Sequence, residues 1–133
     1  MPFITIEIPD SCHFSLQPFA LELNQYLSEA LEVPIEKCKI KLIRLSEWCV
    51  GKGSADDAYA RLKVEFMGGR DRQKLVHAGE ELVRRFEASI QSQNQAQPCR
   101  ITVDFHELDR ELLFVANSAP RRGEEEKRQC QCR

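Results

Sequence analysis

Two short stretches hold the residue types from which an acid–base or anion-binding site could be built. The first is Met1-Pro2-Phe3. A start methionine ahead of a small proline is normally trimmed, which would leave Pro2 as the amino terminus. Its nitrogen would then be a secondary amine at the mouth of a strand, held in one direction by its own ring. The plainer reading is that Pro2 only starts a strand, where its missing N–H breaks no ladder bond. The second stretch is Gly68-Gly69-Arg70-Asp71. Free N–H groups at a helix start favour an anion, and glycines let it approach closely. Arg70 adds a forked cation able to hold a carboxylate through two hydrogen bonds. A strand-to-helix turn also uses glycine for geometry alone. Lys39, Lys41 and Arg44 place further positive charge in one segment.

Other chemistries find little support in the chain. It has no Ser/His/Asp order, no Walker loop and no metal-ligand spacing; His13, His77 and His106 are far apart in sequence. Six cysteines are scattered without a CxxC pair, and Cys130 with Cys132 are too few for a four-coordinate zinc site. Cys38 and Cys99 read as small residues at the edge of a core. With 133 residues the chain suits one domain with a single core, and a net charge of -2 gives no reason to expect nucleic acid. No apolar run approaches the ~20 residues of a membrane span, and the start lacks the pattern of a secretory signal. The expected location is the cytoplasm.

The elements that would position these residues follow from hydrophobic period. Ile4, Ile6 and Ile8 alternate with Thr5 and Glu7, the pattern of a half-buried strand. Apolar residues at three- and four-residue spacing predict a helix from about Ser15 to Leu31, with Ser15 as cap and Pro18 in the first turn. A strand is expected over Cys38–Leu45, then a long loop from Ser46 to Asp57. A further strand is expected over Ala58–Phe66, a helix from Arg72 to about Gln93, a loop from Asn94 to Pro98, and a last strand over Arg100–His106. The chain therefore reads β-α-β twice, with a period of roughly sixty residues. The expected fold class is α+β: two βαβ units forming one four-stranded mixed sheet, with two helices on one face. A ferredoxin-like arrangement shares this element order. The opposite face would carry Glu7, Lys41, Arg61, Lys63, Glu65 and Asp104, a pattern that suits either solvent or a subunit interface with paired ions. A single domain over 1–116 and a disordered tail over 117–133 are expected, with Leu112 to Val115 as an apolar cluster in need of a docking place.

The Pro2-Phe3-Ile4 start, the paired βαβ units and the terminal strand resemble the tautomerase superfamily. The stretch Ala58 to Arg70, the helix segment His77-Ala78-Gly79-Glu80-Glu81-Leu82, and Val103-Asp104-Phe105-His106-Glu107-Leu108 resemble its 5-carboxymethyl-2-hydroxymuconate isomerase family. The resemblance covers roughly residues 2 to 115. It implies a homotrimer without cofactor or metal, in which the amino-terminal proline is the base that shifts a proton along a dienol or unsaturated ketone. It further implies that Arg70 binds a carboxylate of a small-molecule substrate. Where the family has an arginine on the second strand, this chain carries Lys39, which keeps the charge but loses the fork. Phe3 and Trp48 are candidate pocket walls; burial among them, with Arg70 or Lys39 nearby, would favour a neutral amine. The different-class alternative is a non-catalytic tautomerase-fold assembly or interaction protein.

Overall fold

The computed structural model describes residues 1–93 and 98–119. Its strands are β1 (Phe3–Pro9), β2 (Lys39–Leu45), β3 (Ala58–Met67) and β4 (Cys99–Leu108), and its helices are α1 (Phe19–Leu31) and α2 (Arg72–Gln93). They form one sheet in the order β2-β1-β3-β4. The pairs β1/β2 and β3/β4 are parallel, while β1 and β3 meet antiparallel at the centre. Each parallel pair is one βαβ unit, so the fold is the α+β arrangement expected from the period.

Alternation decides which face is covered. Ile4, Ile6, Ile8, Leu62, Val64 and Phe66 are all buried, and they pack with Leu23, Leu27, Leu82 and Phe86 from the two helices. A fully buried side chain of this size contributes ~1.5–3 kcal/mol, so these residues dominate the fold's stability. On α2, Gly79 faces the Phe105 ring, where an added Cβ would make an ordinary contact at 3.8 Å. The helix-free face carries the charged set, with pairs already made inside one chain. Arg61 donates two bonds to Asp104, of 2.9 and 2.6 Å, and His106 also contacts Asp104.

Two expectations need correction. Helix α1 starts at Phe19 rather than near Ser15, with Pro18 at the cap position. The residue before a proline is pushed out of helical geometry, which excludes Gln17 from a first turn. Ser15 does not cap α1; its backbone N–H donates instead to the Gln93 side chain at 2.6 Å. The expected 117–133 tail falls, from 120 onward and with Cys130 and Cys132, outside the described residues, as do positions 94–97. Among the described residues the apolar cluster finds no cover: Leu112, Phe114 and Val115 are 72%, 85% and 77% exposed.

Candidate active site

The parallel register of β1 and β2 fixes what surrounds the amino terminus. Phe3 lies beside Lys39, so the residues before β1 lie beside the short helical turn Ile35–Lys37 and Cys38. The Lys39 backbone N–H donates to the Pro2 carbonyl at 3.2 Å, extending the ladder one rung past the strand. Pro2 itself is fully buried, while Phe3 is 41% exposed on the helix-free face. The Lys39 ammonium sits 5.3 Å from the centre of the Phe3 ring. Beside them a recess of about 430 Å3 is lined by Phe3, Thr5, Lys39, Lys41 and Glu65.

Arg70 reaches the same end of the sheet from the other half of the chain. Antiparallel pairing of β3 with β1 brings the end of β3 back to the start of β1, with Phe3 beside Glu65. The Gly68-Gly69 turn follows, Gly69 holding φ at +100°, a conformation that a side chain would strain. The Arg70 guanidinium then packs over Phe66 and donates to the backbone carbonyls of Met67 and Leu31. It therefore ties the turn to the end of α1 as well as bringing charge to the amino terminus.

These cations act on the terminal amine. On Met1 its pKa is lowered from 8.0, first by burial and then by the charges of Lys39, Lys37 and, more weakly, Arg70; Cys38 opposes them. Desolvation and like charge both disfavour the ammonium, so the environment favours a neutral, proton-accepting nitrogen. Lys37 and Cys38 were missed by the sequence reading. The signal was available: once β2 is placed parallel to β1, the residues ahead of each strand must be neighbours.

Trp48 is not brought to this site within one chain. Pro9 pairs with Leu45 at the far end of β1 and β2, and the loop holding Trp48 leaves from there. Seven residues of strand, about 20 Å, separate it from Pro2. Its indole N–H donates to the Asp57 carbonyl at 3.0 Å and closes its own loop. A groove of about 750 Å3 lies between the helices around Pro18, Phe19, Glu22 and Arg85, and Pro2 is not among its lining residues.

Comparison with known proteins fits this geometry. The family profile of 5-carboxymethyl-2-hydroxymuconate isomerase matches residues 2–122. The chain belongs to this family. Among solved structures, a 5-carboxymethyl-2-hydroxymuconate isomerase from Deinococcus radiodurans R1 is 20% identical with a TM-score of 0.70, the match covering 88% of this chain and 90% of that one. A macrophage migration inhibitory factor-like protein from Entamoeba histolytica is 16% identical, TM-score 0.59, covering 88% and 96%. A fused 4-OT described as an asymmetric trimer is 15% identical, TM-score 0.65, covering 88% and 94%. No curated protein matches by sequence. At these identities the structural likeness establishes the shared tautomerase fold, and the family match supports an isomerase or tautomerase. No helix among the described residues is long and apolar enough to cross a membrane.

Proposed function

We propose that this family member is an isomerase moving a proton within a small unsaturated keto-acid, in the manner of a 5-carboxymethyl-2-hydroxymuconate delta-isomerase, with Pro2 as the base. The observation that carries the reading is the setting of the terminal amine: partly buried, with its pKa lowered by that burial and by the charges of Lys39, Lys37 and Arg70. After removal of Met1 the Pro2 nitrogen occupies this end of the sheet and inherits the same burial and charge. The neutral amine takes a proton from the carbon next to the substrate carbonyl and returns it further along the conjugated system. Lys39 and Arg70 hold the substrate carboxylate and stabilise the dienolate formed between the two transfers. Phe3 supplies an apolar wall. The reaction as written draws on side chains and the terminal amine alone.

The active assembly is a trimer in the cytoplasm. Support comes from the helix-free face, where half-buried ions share the surface with exposed Phe3 and Ile43, and from exposed Leu112, Phe114 and Val115. Packing against other copies would cover them, and is the route by which Trp48 of another copy could wall the site.

A second reading has one observation in its favour. Arg70 already spends donors on the carbonyls of Met67 and Leu31, as a purely structural arginine would. In that case the chain is a non-catalytic assembly or interaction protein on the same fold. A spectrophotometric screen with muconate-type dienols and phenylenolpyruvate separates the two. Isomerisation by the trimmed protein, lost when a tag precedes Pro2, is the expected result. Equal rates with and without the tag would remove Pro2 as base; no turnover by the trimmed protein would leave the assembly reading.

A further inference from the structure

The charged face of the sheet is not uniform. On its β3/β4 side the ions satisfy one another: Arg61 donates twice to Asp104, and His106 contacts the same carboxylate. Around Phe3 they do not. Strand register sets Lys39, Phe3 and Glu65 side by side in one row across β2, β1 and β3. Lys41 and Thr5 stand in the next row on the same face, and all five line the recess of about 430 Å3. Glu65 is half-buried. Its ionic contact, from Oε1 to the Lys63 ammonium at 3.7 Å, is longer than a hydrogen bond. Among the described residues no side-chain hydrogen bond reaches the Glu65 carboxylate, so its oxygens are acceptors turned to a recess. We propose that Glu65 is a specificity residue of this site: it accepts the hydrogen bond of an enol hydroxyl next to the substrate carboxylate, and so selects the 2-hydroxy acid over the acid that lacks this hydroxyl.

The inference rests on the isomerase reading and adds which tautomer the recess holds. Neighbouring strands lie ~4.8 Å apart, so the Lys39 and Glu65 backbones flank Phe3 with about 10 Å between them. Less the reach of the two side chains, that gap takes one planar head group. A 2-hydroxydienoate carries an anion and an O–H donor side by side at its head. Laid over the Phe3 ring, it turns the carboxylate to Lys39 and the hydroxyl to Glu65. Charge fixes this order, because the reverse sets carboxylate against carboxylate. A ketone at the same carbon offers only acceptors, and a C–H leaves the Glu65 oxygen without a donor. A site built to bond a hydroxyl rejects the analogue lacking it for that reason. The hydrogen bond orients the head, and the proton transfers stay with Pro2.

Two unreactive acids that differ by a single hydroxyl, phenyllactate and 3-phenylpropanoate, provide the test, by calorimetry on the trimmed full-length protein. Wild type should bind phenyllactate roughly tenfold to a hundredfold tighter, the range for a hydrogen bond to a charged group. Glu65→Ala should erase the preference without weakening 3-phenylpropanoate, and Glu65→Gln, which keeps an acceptor oxygen, should retain part of it. In dienol turnover Glu65→Ala should raise KM more than it lowers kcat, a split that a merely structural role would not produce. Equal affinity of wild type for the two acids, or binding of neither, would overturn the inference. So would a preference that survives Glu65→Ala but is lost in Thr5→Val, which would assign the hydroxyl to Thr5. Hydroxyl discrimination in a protein that turns over no dienol would support the Glu65 assignment and count against the isomerase reading.

Discussion

At one end of the sheet Pro2, Lys39 and Arg70 converge on a chain terminus, and the cations Lys39, Lys37 and Arg70 all lower the pKa of its amine. At the other, Cys12, Phe14 and Cys99 pack at the core, and the Arg44 guanidinium donates to the Phe14 carbonyl at 2.6 Å. Both ends grow from the same four strands. Like charges beside a buried amine raise the energy of its protonated form. A cation given to a carbonyl, with aromatic rings stacked behind it, only holds a loop in place. Phe14, Phe19 and Phe86 meet there at centroid distances of 5.8 to 6.1 Å. Side-chain accounting of this kind separates an end that can do chemistry from an end that keeps the fold.

Four changes should sharpen or break that contrast. The largest effect is expected from blocking the amine: an N-terminal fusion turns it into an amide that accepts no proton. Activity should fall by ~10³-fold or more, over 4 kcal/mol in barrier, with the melting temperature nearly unchanged. Next comes Phe86→Ala at the opposite end, which should cost ~3–5 kcal/mol of stability by chemical denaturation. Activity per folded molecule should stay the same; a large loss there would mean that the two ends are coupled. Arg70→Ala should lower kcat/KM by ~2–4 kcal/mol equivalent, with Arg70→Lys recovering only part. Because Arg70 also bonds Met67 and Leu31, a stability loss of ~1 kcal/mol should accompany it. If stability alone changes, Arg70 is a turn residue.

The smallest effect lies on the helix-free face, between the two ends. The bonds from Arg61, and then from His106, hold the Asp104 carboxyl down to about 2 from 3.8. A carboxylate depressed in the folded state adds stability above its unfolded pKa, and that stability is lost as pH falls from about 4 through 2. Solvent reaches this pair, so the contribution is on the order of 1 kcal/mol. Asp104→Asn should flatten the acid limb of a stability-versus-pH curve by that amount. An unchanged limb would show that the pair contributes nothing.

Much of this was legible from period alone. Ile4, Ile6 and Ile8 against Leu62, Val64 and Phe66 announced the covered face, because a strand buried on one side must alternate. The α2 limits followed from helical spacing; Ala78, Leu82, Phe86 and Ile90 are its buried residues. Local competition was harder to read. Pro18 delayed α1 by several residues, and Ser15 found a partner in Gln93, 78 positions away, that no local rule supplies. Lys39 was legible as charge on the strand beside Pro2. Lys37 became legible only with the parallel register. Trp48 could not be placed from sequence: strand direction sends its glycine-rich loop to the other end of its own chain.

The most direct test of the account is an NMR pH titration of the ¹⁵N-labelled amino-terminal nitrogen in the trimmed protein. The account predicts a single titration clearly below the 7.7–8.0 of an ordinary α-amino group. The acid limb of kcat/KM should share its midpoint, and Lys39→Met should move both upward together. A nitrogen that titrates at or above the ordinary value, or a blocked one that does not titrate at all in a protein that still isomerises dienols, would contradict it.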